Sequence, residues 1–253
     1  MRKNPLKSRL RNGENVIGTF LCINSPAVVE IFGYAGFDFV IIDMEHGPFN
    51  FETVENMIRA AEASGITPIV RTPSSEETYI LRALECGAAG VQVPHVDEVE
   101  TAKQVIEAAM YYPRGLRGVS PYTKAAQYSA IDPKTHMDTS NMEVMTIIHI
   151  ESQKGINNLP AMLDSAPVDV VFLGPYDLSQ SLGIPGMVDD PRVIESITKG
   201  LKICREKGVA VGTFVESPER ARRWMNSGIQ YIAYSVDIGI FMRTVKQIIQ
   251  NFK

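Results

Sequence analysis

Cysteine is scarce in this chain of 253 residues: Cys22, Cys86 and Cys204 are odd in number and far apart. That spacing excludes a disulfide framework and a cysteine zinc site, and it leaves three thiols expected to be buried. Long apolar runs are missing too. None approaches the ~20 residues a membrane-spanning helix needs, and the basic opening MRKNPLKSRLRNGENV has no apolar signal core, so a cytoplasmic protein without a membrane partner is expected. Nor is there an excess of positive charge. Lys and Arg total 25 against 29 Asp and Glu, a formal net charge of -4 with no concentrated basic patch, so no nucleic-acid partner is expected. What remains is globular: 45% apolar and 21% charged residues, in a length that suits one α/β barrel of about 250 residues.

The chain alternates apolar, β-branched runs with segments of helical period. Ile17 to Ile23 is the first predicted strand, and Ser25-Pro26 opens a helix that stops at Gly36. Phe39 to Asp43 (FVIID) is nearly all apolar, the mark of a strand buried on both faces, and the polar cluster Met44-Glu45-His46-Gly47-Pro48 follows it. Phe51 to Ser64 repeats Val54, Met57, Ile58 and Ala61 at helical spacing, and Thr67 to Val70 is a strand that delivers Arg71. A helix from Glu76 to Cys86, a strand from Gly90 to Val93 and a helix capped by Asp97 and running to Met110 come next. Tyr111 to Asn141, rich in glycine, proline, tyrosine and basic residues, breaks this rhythm in the manner of a functional loop or interface segment.

The alternation then resumes with strands at Val144 to Ile150, Val168 to Leu173, Val209 to Phe214 and Tyr231 to Ser235. Helices are predicted at Asn157 to Ser165, Pro191 to Lys207 and Pro218 to Ser227, and a last one over 237–250. Eight such units predict a single (β/α)8 barrel over residues 1–253, with its active site at the C-terminal rim of the strands. A doubly wound sheet is the alternative, but the first turn, Asn24-Ser25-Pro26, lacks the glycine-rich phosphate fingerprint.

The residues just past each strand are Glu45 and His46, Arg71, His95, Glu151, the turn Gly174-Pro175-Tyr176-Asp177, and Glu216. A right-handed crossover between the strands ending before Glu151 and Asp177 sets these two carboxylates side by side. Two oxygen ligands without a histidine or cysteine cluster suit a hard divalent cation; the alternative is that Glu151 caps the next helix and Asp177 a turn. His95, His136 and His149 are read as structural, whereas His46 and Arg71 each stand alone at the end of an apolar strand. This ring suits enolate formation: a metal chelated by an α-keto acid, Arg71 donating to the oxyanion, a histidine moving the proton, and amides before Asp177 holding a carboxylate.

The segments FVIIDMEHGP, PIVRTP, GAAGVQVPHV, YYPRGLRGV, IESQKGINNLPAML and VFLGPYDLSQSLG, in this order, resemble the metal-dependent class II pyruvate aldolases of the HpcH/HpaI family. The resemblance covers nearly the whole chain from Gly18. It implies a phosphoenolpyruvate/pyruvate-type TIM barrel, usually a homohexamer built as a trimer of dimers that exchange the last helix. It also implies cleavage of 4-hydroxy-2-oxo acids to pyruvate and an aldehyde through a metal-stabilised enolate.

Carried over by position, Glu151 and Asp177 bind magnesium, manganese or cobalt, Arg71 contacts the keto oxygen, and His46 is the acid/base with Asp43 close behind. Gly174, Pro175, Tyr176, Asp177, His149 and Phe20 contact substrate. Three positions depart from the family: Glu85 stands where an aspartate often partners the histidine, His149 where some relatives have glutamine, and Tyr176 where the GPADLS turn has a small residue, its ring narrowing the aldehyde end. Alternatives within the superfamily are an acyl-coenzyme A ester lyase of the citrate lyase β type, using Arg114, Arg117 and Lys124 for the phosphates, and an oxaloacetate decarboxylase. A non-catalytic barrel is the third class.

Overall fold

The computed structural model describes residues 3–253. Strands β1 (Val16–Leu21), β2 (Phe39–Asp43), β3 (Thr67–Arg71), β4 (Gly90–Val93), β5 (Met145–Ile150), β6 (Val170–Leu173), β7 (Ala210–Val215) and β8 (Tyr231–Val236) each pair in parallel with the next. β8 returns to β1 and closes the barrel. The predicted (β/α)8 architecture is the observed one.

Two apolar layers hold it. Val54, Met57, Ile58 and Ala61 of the helix Phe51–Ser64, which Asn50 caps through Thr53 N at 2.8 Å, are fully buried between helices and strands with the β-branched residues that face outward from the sheet. Burying a side chain of this size is worth about 1.5–3 kcal/mol. The inner layer fills the barrel itself with Phe20, Phe39, Ile41, Ile69, Ile147, Phe172 and Tyr231.

At the foot of the barrel the sequence prediction needs correction. The basic opening forms a helix, Pro5–Arg11, capped by Asn4, and its Leu6 and Leu10 plug the inner layer. Lys7 is buried there because its ammonium donates to Val144 O at 2.6 Å and to Asp169 Oδ2 at 3.0 Å. The excursion after Tyr111 also contains a helix, Pro133–Glu143; it buries His136, Ser140 and Asn141, so no apolar stripe announces it. Asp97 does not cap the helix Val99–Ala109, whose cap position is Glu98; Asp97 instead accepts from Ser152 Oγ at 2.7 Å. Among the described residues no helix is long and apolar enough to cross a membrane.

Register positions the site. Asp43 on β2 sits beside Arg71 on β3, and Arg71 beside Gln92 on β4, at one level of the barrel; His149 pairs with Phe172 on β6.

Candidate active site

A cavity of about 370 Å³ opens at the C-terminal ends of the strands, lined by Phe20, Asp43, His46, Arg71, His149, Glu151 and the turn Gly174 to Asp177, together with Phe214, Glu216 and Val236. The fold therefore brings together all the predicted site residues except Glu85. A helix following a strand runs back to the foot of the barrel. Glu85 is the last residue of the helix Glu77–Glu85, so it lies at the end opposite His46, where its carboxylate acts on buried Arg117. The expected His46–Glu85 pair does not form within the chain.

Arg71 is the most constrained group. Its Nε and Nη2 donate to Asp43 Oδ1 and Oδ2 at 2.8 and 2.6 Å, and Nη1 lies 2.9 Å from Glu45 Oε2 in an ion pair whose angles fall short of a hydrogen bond. Its guanidinium stands 4.7 Å over the ring of Phe20. Burial pushes the Asp43 carboxyl upward, but hydrogen bonds and charge from Arg71 outweigh it and hold Asp43 below the usual carboxylate range. Asp43 takes two of the five guanidinium N–H groups; the other three, one on Nη2 and two on Nη1, make no hydrogen bond among the described residues. Asp43 also caps the turn after β2, accepting from Glu45 N at 3.1 Å and His46 N at 3.3 Å. The ring of His46 is thus free of that duty and reaches the cavity.

Glu151 is buried against Gly174, where an added Cβ would come within 2.9 Å of Glu151 Cγ and 3.0 Å of its Oε1. Its Oε1 is 2.6 Å from His149 Nδ1; its Oε2 accepts from His95 N at 3.1 Å and lies equally far from His95 Nδ1. Burial raises its pKa, but the charges and hydrogen bonds of His149 and His95 prevail and bring it down to about 2. The next helix, Gln153–Ser165, is capped by Ser152, so Glu151 is not its cap. Asp177 is exposed at the cavity, in the first turn of a short helix, Pro175–Ser181, that the sequence did not predict.

Four features differ from expectation. His95, read as structural, bridges Glu45 Oε1 at 3.2 Å and Glu151 Oε2, from a left-handed backbone with φ of +54°. Cys86 and Cys204 are buried as expected, but Cys22 is half-buried and lines the cavity, its thiol 3.7 Å from Asp43 Oδ2 and pushed up to about 12 by burial and nearby carboxylates. Tyr176 donates to Glu216 Oε2 at 2.6 Å across the cavity mouth. The basic residues offered for coenzyme A phosphates are elsewhere: Arg117 is stacked on Tyr111, Arg114 reaches Asn141 O, and Lys124 is paired with Glu62. None of the three lines the cavity.

Residues 16–244 match the HpcH/HpaI aldolase/citrate lyase family. The chain belongs to that family. The HpcH/HpaI relatives include a hydroxypyruvate/pyruvate aldolase of Cupriavidus necator, 31% identical over 99% of this chain and 93% of that protein. A 2-keto-3-deoxy-L-rhamnonate aldolase of Escherichia coli K12 is 32% identical over the same shares. Among solved structures, citrate synthase SbnG superposes with a TM-score of 0.89 at 32% identity, over 97% of this chain and 96% of that one. With these aldolases, the chain is a carbon–carbon lyase, and it carries its polar groups where a family barrel performs chemistry, at the strand ends.

Proposed function

We propose that this chain cleaves, and in reverse forms, 4-hydroxy-2-oxo acids, yielding pyruvate or a close analogue and an aldehyde through an enolate. The observation that supports this most is the meeting of Arg71, fixed by Asp43 and Glu45, with the ionised Glu151 on one cavity wall. Lysine is absent from that wall among the described residues, so a Schiff base has no amine to form on there.

A divalent cation fits Glu151 and Asp177. Both are hard oxygen donors, Glu151 stays ionised at neutral pH, and the absence of a side chain at Gly174 keeps a Cβ from crowding its carboxylate. Magnesium, manganese or cobalt there would act as a Lewis acid on the keto group. The chain's own residues do the rest. Arg71 N–H groups not given to Asp43 donate to the keto oxygen and strengthen their hold as it gains charge. First-turn amides of Tyr176 and Asp177, which have no acceptor within their helix, hold the substrate carboxylate. His46 removes the proton of the 4-hydroxyl as the carbon–carbon bond breaks, directly or through a water. Phe20 and His149 line the wall behind the enolate.

The acting form is proposed to be a cytoplasmic homo-oligomer, a hexamer made as a trimer of dimers. The helix Asp237–Gln250 packs mainly on β1 and β8 and turns Phe241, Met242, Ile248 and Ile249 to solvent, a surface that suits exchange with a neighbouring subunit.

A screen of aldehydes with pyruvate and manganese, read as pyruvate loss, tests the function. Consumption of pyruvate that stops on chelation is expected. Trapping of pyruvate onto a lysine by borohydride would overturn it.

A further inference from the structure

A buried hydrogen-bonded chain runs through the inside of the barrel to Glu151. It starts at Tyr231, the first residue of β8, which is wholly buried with its ring stacked on Phe39 at 4.1 Å between centroids. Gly212 on β7 makes the room: a Cβ there would lie 2.7 Å from the Tyr231 ring and 2.9 Å from that of Phe172. The Tyr231 hydroxyl is 3.1 Å from Gln92 Oε1, Gln92 Nε2 is 2.5 Å from His149 Nε2, and His149 Nδ1 is 2.6 Å from Glu151 Oε1. The imidazole lies stacked on Phe172 at 4.5 Å, and Gln92 and His149 are both buried.

Counting donors fixes the direction of this chain. Ionised Glu151 can only accept, so the proton facing it sits on His149 Nδ1. In a neutral ring Nε2 is then the acceptor, which matches the amide N–H of Gln92, while the amide oxygen takes the phenol proton. The reverse direction would leave the Tyr231 proton without an acceptor in an apolar interior, and an unmet buried donor is costly.

We propose that Tyr231, Gln92 and His149 are positioning residues that act through Glu151. The relay fixes His149 as the Nδ1–H tautomer and thereby sets the Glu151 carboxylate with Oε1 tied and Oε2 presented at the rim, where it meets His95. Groups that orient a metal ligand in this way are commonly worth 10–100-fold in metal affinity. That consequence rests on the proposed role of Glu151; the tautomer does not.

The test uses nitrogen NMR of the metal-free protein, with the His149 signals assigned by their loss in His149→Gln, and calorimetric titration of the full chain with manganese. The wild type should show a protonated Nδ1 and a pyridine-like Nε2. Tyr231→Phe and Gln92→Met should mix the tautomers and weaken manganese binding by about 10–100-fold. His149→Phe keeps the stack on Phe172 but loses the donor and should weaken it equally, whereas His149→Gln, whose amide can still donate to Glu151, should bind close to wild type. A packing role would reverse the order of these two His149 variants. An Nε2–H tautomer in the wild type, or wild-type manganese affinity in His149→Phe and Tyr231→Phe, would overturn the proposal. A wild-type protein that shows the Nδ1–H tautomer yet binds no manganese would uphold the relay and remove the metal role of Glu151.

Discussion

Asp43 grips Arg71 side-on, Oδ1 at 2.8 Å from Nε and Oδ2 at 2.6 Å from Nη2, because register places the two residues opposite one another at the ends of β2 and β3. The fork is thereby held in one plane and cannot turn to follow a ligand. Arg71→Lys should keep the charge but lower turnover by about 10²-fold or more, since a point ammonium cannot satisfy Asp43, Glu45 and an oxyanion together. Steady-state kinetics decide it: unchanged turnover with a raised KM would mean that Arg71 serves ground-state binding only. Asp43→Ala leaves the buried guanidinium half-compensated and should cost on the order of 3–5 kcal/mol in denaturant unfolding.

Much of this was legible in the sequence, for reasons that can be named. The two-sided burial of FVIID and TPIV marks barrel strands, and a parallel βα alternation forces strand ends onto one rim, so His46, Arg71, Glu151 and Asp177 could be placed together without coordinates. Three kinds of information were hidden. Gln92 and Tyr231 sit inside strands at positions that also suit packing, and only three-dimensional register shows that their polar atoms meet His149. His95 had no partner in sequence because both of its carboxylates come from other strands' ends. Glu85 came only from the family resemblance, and the helix carries it, as its last residue, to the foot of the barrel, away from His46 of the same chain.

Removing either proposed metal ligand should be visible without turnover. Glu151→Gln and Asp177→Asn should each weaken manganese binding measured by calorimetry and lose most of the aldol cleavage, while thermal unfolding of the metal-free protein shows the barrel intact. Chelation of the wild type should abolish cleavage, and manganese, cobalt or magnesium should restore it. Retained manganese affinity in both variants would move the metal away from this pair.

Stability should fall on the acid side through His136. Burial, with Arg117 nearby, depresses this imidazole to about 4, and its Nε2 lies 3.3 Å from the Tyr111 hydroxyl. Its ordinary value is 6.5, so between pH 6.5 and 4 the unfolded chain binds the proton and the folded chain does not. The unfolded state therefore gains as pH drops through that window, and stability is lost. The melting temperature should decline from pH 6.5 toward 4, and His136→Gln should flatten the decline. A slope in the variant equal to that of the wild type would assign it to other groups.

The cavity mouth should select against acidic aldehydes. Tyr176 is held across it by Glu216 at 2.6 Å, its ring centroid 5.8 Å from that of Phe214 in an edge-on pair, and burial together with Glu216 pushes its phenol up to about 12. A carboxylated aldehyde would meet the Glu216 charge there, since Arg71 is already committed. Glu216→Gln should raise kcat/KM for carboxylated over neutral aldehydes by about tenfold, roughly one like-charge contact near a protein surface. Tyr176→Ala should broaden acceptance of longer aldehydes. A ratio unmoved by Glu216→Gln would place the aldehyde elsewhere on the rim.

His46 offers the sharpest separation of roles. Its backbone N–H is taken by Asp43, while its exposed ring, without a hydrogen-bond partner among the described residues, faces the cavity. An imidazole so placed can exchange protons with the 4-hydroxyl of a bound substrate, and losing a positioned acid/base usually costs about 10²–10⁴-fold. His46→Ala should therefore lose that much in aldol cleavage while manganese affinity and melting temperature stay as in the wild type. Decarboxylation of oxaloacetate reaches the same enolate by releasing carbon dioxide, with no hydroxyl proton to remove. It should suffer clearly less in His46→Ala than aldol cleavage does. Equal losses in the two reactions, measured on the same preparation, would show that His46 supports the site without moving the proton.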